Sequence, residues 1–296
     1  DMDLIERIEF IPGPGGAVYG QNAMLGVVNV ITRKGAALDG GEVSVSWQAP
    51  QAARKARVSW GKRLDNELEL MLSASILRSD GEDLWMDYGE GGSGIARGQD
   101  GERDQEFNLT ANRGAWSFGL AHGDRRKDDP TGVYGTDPFT PGSFQGDRYT
   151  TAQLGYNATL SDTLSLSARA FVGNYRYEST LNYDGLATGY PASSAWHGAE
   201  LHWVATPFAA HTLMMGAEYQ RNQRIAQNIR DYADSSSELN WRDRRDGYRT
   251  GLFVQEVPEE IVEAARRQRL PVIEIPRSVL YRTIVLCISE HLLSER

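Results

Sequence analysis

The chain has 296 residues, which is enough for one large domain or two ordinary ones with a buried core. Its 31 Gly, 13 Tyr and 7 Trp predict an all-β protein with many turns rather than a helical one. The lone cysteine excludes an internal disulfide scaffold, and a formal net charge of -9 without a long Lys/Arg run argues against nucleic acid as a partner.

Residues 5–32 predict a strand, a sharp turn and a second strand. The first strand covers residues 5–11, and the sequence GPGG at 13–16 forces a turn of a kind that glycine tolerates freely. Residues 27–32 predict a second, buried strand. The chain does not open with the charged and apolar segments of a secretory signal peptide, so we expect a mature fragment or a missing start.

From residue 42 onward, apolar and polar side chains alternate with a period of two, as in strands with one apolar face. In QEFNLTANR, Phe107, Leu109 and Ala111 alternate with polar residues, and in AELHWVA the polar side carries His202. No stretch approaches 18 consecutive apolar residues, which excludes a membrane-spanning helix but not membrane-spanning strands, because these show only alternation. Ten strands are predicted, over residues 42–49, 55–63, 66–79, 103–113, 115–124, 148–160, 163–178, 196–206, 211–222 and 248–255.

The connections between these strands alternate between very short turns and long loops. The long loops cover residues 80–102, 125–147, 179–195 and 223–247. Outer-membrane barrels show this pattern, with short periplasmic turns and longer extracellular loops. The sequence therefore predicts an all-β fold, a partial antiparallel up-and-down transmembrane β-barrel of about ten strands. A girdle of aromatic residues is expected near the strand ends, at the lipid–water boundary: Trp47, Trp60, Trp116, Tyr149, Tyr175, Tyr177, Trp196 and Tyr219.

About 30 consecutive residues at the start of the chain resemble the closing segment of the plug domain of TonB-dependent outer-membrane receptors. The matching elements are IERIE, GPG, VYG, NA and GVVNVIT, and barrel strands follow where the family has them. Pro12 departs from the family, which commonly carries a basic residue there. The structural motif of the plug is represented by Gly13, Pro14, Gly15, Tyr19, Gly20, Asn22, Gly26, Asn29 and Thr32.

The resemblance implies a receptor for active uptake of a scarce nutrient, such as a ferric siderophore or cobalamin, in the outer membrane of a Gram-negative bacterium. In that family the plug sits inside a barrel of about 22 strands and is rearranged by the energy-coupling protein TonB, which engages an N-terminal box. We expect residues 1–38 to be the end of the plug and 39–255 the first part of the barrel. With the box absent, the isolated chain is expected not to transport. The other expected partners are outer-membrane lipid and a small-molecule or metal-chelate ligand.

Residues 256–296 change to a helical rhythm and contain no glycine. Pro258 stands near the first position of a predicted helix, residues 270–275 predict a short strand, and a second amphipathic helix follows. The segment resembles part of the N-terminal domain of PucR-type purine-catabolism regulators, through PEEI and LPVIEIP. We therefore expect a third region over 256–296, a short α-β-α tail that is either a natural fusion or a joining artefact.

The sequence shows no pattern typical of catalysis or of metal binding. The five histidines lack metal-ligand spacing, and no G-x-S-x-G elbow frames a nucleophile. We therefore expect no enzyme, metal site or cofactor, and we expect ligand contacts from the long loops and from the plug turn at 13–19. The acidic stretch at 82–90 is either a cation or basic-ligand site or plain solvated surface. A porin-like channel and a soluble β-rich binding protein are the alternative functions.

Overall fold

The computed structural model describes residues 1–12, 25–137, 139–183, 185–208, 211–233 and 236–257. Most of these residues lie in antiparallel strands joined by turns. The elements are β1 (Ile5–Pro12), β2 (Gly26–Thr32), the short helix α1 (Gly35–Leu38), β3 (Gly40–Gln48), β4 (Ala53–Arg63), β5 (Glu69–Ser79), β6 (Leu84–Asp87), β7 (Ser93–Ala96), β8 (Glu102–Arg113), β9 (Trp116–Asp128), β10 (Phe144–Ser161), β11 (Leu164–Tyr183), β12 (Leu186–Gly189), β13 (Ala192–Phe208), β14 (His211–Ala233) and β15 (Ser236–Val257). Within these ranges no helix has the length and apolar character needed to cross a membrane.

Ten strands form one antiparallel meander in which each strand pairs with the next along the chain. The order is β3, β4, β5, β8, β9, β10, β11, β13, β14 and β15, and each of the ten predicted strands overlaps one of these. The prediction of an all-β, up-and-down sheet is therefore confirmed. In the part of the chain that the structure describes, β3 pairs only with β4 and β15 only with β14, so both edges of this sheet are open.

The sheet has one polar and one apolar face, which follow from the two-residue period of its strands. One row across four strands joins Glu42, Ser59, Ser73 and Asn108, and we call this side the polar face. The neighbouring row, on the other side, joins Val43, Val58, Ala74 and Phe107, and we call this side the apolar face.

The apolar face is exposed, whereas several residues of the polar face are buried. On the apolar face Val45 is 77% exposed and Val58 is 59% exposed, and Leu154 on β10 is 46% exposed. On the polar face Ser59 and Ser73 are only 1% and 2% exposed. This distribution is inverted relative to a soluble protein, which buries its apolar side chains.

The strands lengthen along the chain, from 9 residues in β3 to 23 in β14. The short turns at 64–68, 114–115 and 162–163 lie at one end of the sheet, which we call the lower end. A tilted strand crosses a bilayer with about 9–11 residues. The longest strands therefore extend well beyond a membrane at the opposite, upper end.

Three of the predicted long loops contain strands. The loop over 80–102 holds the hairpin β6–β7, and the loop over 179–195 holds β12, which pairs with β11 and β14. The prediction of a loop over 223–247 was wrong, because β14 and β15 continue through it as one long hairpin. Polar residues occupy both faces of that hairpin, so the alternation that identified the other strands is absent there.

Strands β1 and β2 form a separate two-stranded sheet rather than wall strands. Of the plug motif residues, Gly26 pairs with Pro12, Asn29 with Glu9 and Thr32 with Ile5. The predicted second strand exists, but its predicted burial was wrong, since Val28 and Val30 are 62% and 50% exposed. Among the residues that the structure describes, no further strand pairs with this two-stranded sheet. The motif residues Gly13, Pro14, Gly15, Tyr19, Gly20 and Asn22 lie outside the described residues, as does the predicted tail beyond Val257.

Candidate ligand-binding surface

A charged network on the polar face fastens the start of the chain to the wall. Arg57, only 6% exposed, donates to Glu42 on β3 over 2.6 Å. Lys55 binds the carboxylate of Asp1 at 2.6 Å and that of Asp3 at 3.3 Å. Since Lys55 and Arg57 both belong to β4, the segment before β1 is held against the polar face.

The segment after β2 is held against the same strand by a close approach of two glycines. Arg33 reaches the carboxylate of Glu42 at 3.5 Å, and α1 follows directly. A Cβ on Gly61 of β4 would lie 2.8 Å from the Cα of Gly35, which only two residues without side chains can accommodate. Both ends of the β1–β2 hairpin are therefore anchored on the polar face.

Aromatic side chains occupy the upper part of the polar face, on β10, β11 and β13. Tyr149 stands opposite Tyr175, and Tyr177 donates to Gln145 at 3.0 Å. Trp196 lies over Gly173, where a Cβ would meet the indole ring at 2.3 Å. Large rings over glycines on neighbouring strands form an aromatic surface with hydroxyl donors.

These four aromatic residues were expected in the girdle at the lipid boundary, and that expectation was wrong for them. Trp47, Trp60, Trp116 and Tyr219 do lie on the apolar face, and Trp47 is 66% exposed. Tyr149, Tyr175, Tyr177 and Trp196 share the other parity and face the polar side. The sequence does indicate their face, because Tyr149 lies four positions from the polar Gln153 on the same strand, and residues an even number of positions apart share a face.

An ion pair lies below the aromatic cluster on the same face. Arg169 on β11 donates from two guanidinium nitrogens to both carboxylate oxygens of Glu200 on β13, and the shortest contact is 2.7 Å. The guanidinium also stands 5.1 Å from the centroid of the Phe171 ring. His202, two residues along β13 from Glu200, faces the same side, as the alternation predicted.

Two loops at the upper end of the sheet contact each other and β11. We call the loop between β5 and β8, the loop between β9 and β10 and the upper end of β11 the canopy. The Tyr88 ring, after β6, packs edge-on against Phe139 with centroids 5.3 Å apart, and its hydroxyl donates to the carbonyl of Pro130. The next loop is tied to β11, because the amide of Asp137 donates to the carbonyl of Asn182 at 2.8 Å. These contacts join two loops and the upper end of β11, which are far apart in the sequence.

A carboxylate and a phenol of the canopy have shifted pKa values. Burial raises the pKa of Asp129, but hydrogen bonds from Thr131 and Gln145 outweigh it, so the pKa lies below its usual value. Burial, together with the nearby charge of Asp129, raises the pKa of the Tyr88 phenol. At neutral pH, Asp129 is therefore an anionic acceptor and Tyr88 a neutral donor.

The acidic stretch at 82–90 contains β6 and the turn that follows it, and two of its carboxylates have hydrogen-bond partners within the chain. Asp83 accepts from the amide of Gly98 at 3.0 Å and from Arg97 at 3.3 Å, and Asp87 accepts from the amide of Gly89 at 3.0 Å. Across the described ranges, no group of three or more His, Cys, Asp or Glu residues is placed to hold a metal ion. The polar face and canopy instead offer hydroxyls, guanidinium groups and aromatic rings, which suit an organic ligand with polar or anionic groups.

Comparisons with known proteins agree with this architecture. The chain is 36% identical over 83 residues to the vitamin B12 transporter BtuB of Vibrio vulnificus, a match that covers 28% of this chain and 14% of the transporter. It is 37% identical over 86 residues to the ferric enterobactin receptor of Pseudomonas aeruginosa, covering 27% of this chain and 12% of the receptor. No family model matches the chain.

Solved structures show the fold over most of the chain. The structure resembles BauA, the ferric preacinetobactin receptor of Acinetobacter baumannii, with a TM-score of 0.61 at 12% identity, covering 87% of this chain and 45% of that one. The chain therefore spans less than half the length of the receptors it matches. None of these comparisons supports the PucR-type interpretation of the tail. The described part of the chain therefore has the sheet fold of BauA, and part of its sequence is similar to receptors of the TonB-dependent kind that the opening stretch resembles.

Proposed function

We propose that this chain is part of a TonB-dependent outer-membrane receptor for active uptake of a scarce nutrient, such as a ferric siderophore or cobalamin. Residues 1–38 are the end of its plug, residues 39–255 the first part of its barrel, and 256–296 a separate tail. The receptor works in the outer membrane of a Gram-negative bacterium with TonB as its energy-coupling partner. The aromatic cluster, the Arg169–Glu200 pair and the canopy contribute to the ligand surface.

The observation that carries the proposal is the contrast between the two faces of one sheet. The apolar face is exposed along the lower part of the strands, as a lipid-facing wall requires. The polar face holds the chain start and the α1 segment through Arg57, Lys55 and Gly61. A wall with a tethered segment on its polar side fits a barrel that carries a plug.

The alternatives fit these observations less well. A soluble β-sandwich would cover the apolar face with a second sheet, but in the described ranges Val45, Val58 and Leu154 lie open. A porin-like channel would have no use for a hairpin outside the wall, yet β1 and β2 form their own sheet. The receptor proposal explains both features.

Adjacent residues of β11 provide a test of which face meets lipid. Val172 is 54% exposed on the apolar face, and its neighbour Phe171 lies on the polar face. We expect a fluorophore on Val172→Cys to be quenched by brominated lipid about threefold more than one on Phe171→Cys, because quenching requires contact with acyl chains. The chain would carry Cys287→Ser, be reconstituted in phosphatidylcholine vesicles, and be measured by steady-state fluorescence.

The same two labelled chains test the ligand surface. Titration with ferric siderophores and with cobalamin should change the signal at position 171 in a saturable way, and leave position 172 unchanged. Equal lipid quenching at both positions would refute the membrane wall. The absence of a saturable response to every nutrient of this class would refute the ligand surface while leaving the wall intact.

A further inference from the structure

The apolar face carries an uninterrupted row of arginines near its upper end. Arg54 on β4 pairs across the sheet with Arg78 on β5, Arg78 with Arg103 on β8, and Arg103 with Arg126 on β9. Directly opposed like charges destabilise a sheet. Four in succession therefore indicate a surface that is used with an anion bound to it.

Three of these guanidinium groups have no anionic partner within the described residues. Arg54, Arg78 and Arg103 are exposed, and none of them forms a side-chain hydrogen bond or ion pair there. Arg126 differs, since it reaches Asp128 at 3.6 Å and stacks on the Phe144 ring at 3.5 Å from the centroid. The row thus presents at least three uncompensated positive charges on one side of the sheet.

The row lies at the height where a bilayer would end. Arg54 and Arg78 each stand nine residues from the lower end of their strands, at Arg63 and Glu69. Arg103 stands ten residues from the lower end of β8. A membrane-spanning strand needs about 9–11 residues, so a membrane that begins at the short turns reaches its headgroup layer at the arginines.

A recess beside Arg54 and Arg78 combines apolar and charged side chains. Its volume is about 460 Å³, with Val45, Ala56 and Ile76 on its floor and Arg54 and Arg78 beside them. Ser46, Ala52, Lys55 and Asp80 also line it, so it has one acidic group, and the Lys55 ammonium is already bound to Asp1 and Asp3. Guanidinium groups beside an apolar floor match a ligand that has both a phosphate and an acyl chain.

We propose that Arg54, Arg78 and Arg103, with the recess beside the first two, form a binding site for a phosphate-bearing lipid headgroup of the outer leaflet. The guanidinium groups bind the phosphates, and Val45, Ala56 and Ile76 contact the first part of an acyl chain. The site lies on the outside of the wall, so it is distinct from the surface that would take up a nutrient. It rests on the proposed function only in taking the apolar face as the lipid-facing one.

Binding of diphosphoryl lipid A to the full chain in zwitterionic detergent micelles tests the site. The double variant Arg54→Gln/Arg78→Gln should weaken binding about 30-fold, since each surface cation contributes about fivefold to the attraction of an anionic lipid. The matched control Lys62→Gln/Arg113→Gln removes two charges from the lower end of the same face and should change affinity less than about threefold. Native mass spectrometry of the lipid-bound fraction gives the affinities, and far-UV circular dichroism checks that the sheet is retained.

Two further measurements test whether the site needs positive charge and whether it binds a lipid phosphate rather than free phosphate. The variant Arg54→Lys/Arg78→Lys keeps the charges and should retain most of the binding, whereas inorganic phosphate should not displace the lipid. Equal weakening in both glutamine double variants, displacement by inorganic phosphate, or a folded chain that takes up no lipid A would overturn the site. Each of these results leaves the fluorescence test on Val172 and Phe171 unaffected, so failure of the site and failure of the receptor proposal are distinguishable.

Discussion

Single residues at the junction of hairpin and wall decide how firmly the two are joined. Gly61 and Gly35 touch backbone to backbone, so neither can gain a side chain without moving the other. Gly41 on the adjacent strand differs, because the nearest atom to a Cβ there would be 4.0 Å away. The two positions therefore form a matched pair of glycines, one constrained by packing and one unconstrained.

Gly61→Val should detach residues 33–38 from β4. Overpacking of this kind costs about 1–3 kcal/mol, and the released segment would expose Arg33 and Lys34 to trypsin. We expect trypsin to cleave faster after these two residues, and the cleavage rate is measured by mass spectrometry of the fragments. Gly41→Val serves as the control and should leave the cleavage rate unchanged. Unchanged cleavage in Gly61→Val would show that the glycine contact does not hold the segment.

The canopy should be sensitive to acid through Asp129. Its pKa is lowered in the folded chain, so its ionised form adds stability that is fully present above about pH 4, the range of a free carboxyl group. That contribution is lost as the pH falls through the lowered folded value. We expect hydrogen exchange in residues 129–137 to increase below about pH 4, after correction for intrinsic rates. Asp129→Asn should abolish this acid-induced increase in hydrogen exchange, whereas the control Asp162→Asn, in a turn at the lower end, should leave the increase unchanged.

At the level of strands, the sequence determined most of what the structure shows below the canopy. The alternation placed Leu109, Leu154 and Leu201 on one face, and the cross-strand pairs put them there. Alternation arises where the two faces of a strand meet different environments, one apolar and one aqueous. In the upper part of β14 and β15 both faces meet water, so residues 223–247 carry no such pattern and were predicted as a loop.

The candidate ligand surface was less predictable than the strands. Loop contacts such as Tyr88 with Phe139 join residues about 50 positions apart, and no local pattern specifies such a pair. The arginine row has the same character, because Arg54, Arg78 and Arg103 become neighbours only through strand register. The face on which Tyr149 and Trp196 lie follows from the alternation along their strands. The prediction that they face lipid was wrong because it used only their position near a strand end.

At the scale of the whole molecule, the described sheet is an incomplete wall with two open edges. Unpaired strand edges associate readily with other strands. We expect the full chain in detergent micelles to form dimers or larger species, measured by size-exclusion chromatography with light scattering. Ser46→Lys on the edge strand β3 should shift it towards the monomer, because a charged edge side chain opposes pairing. The control Asn157→Lys, on the polar face of the interior strand β10, should have no effect. A monomeric unmodified chain would contradict the expectation.

The strands late in the chain are longer than the early ones, which gives the upper edge of the sheet a slope. Measured from the short turns, this edge rises from 11 residues at β4 to 23 at β14. In the proposed receptor, the tall strands would project furthest from the outer surface of the membrane, and the sheet would be lowest above β3 to β5. A ligand approaching the polar face would then meet the least obstruction on that low side.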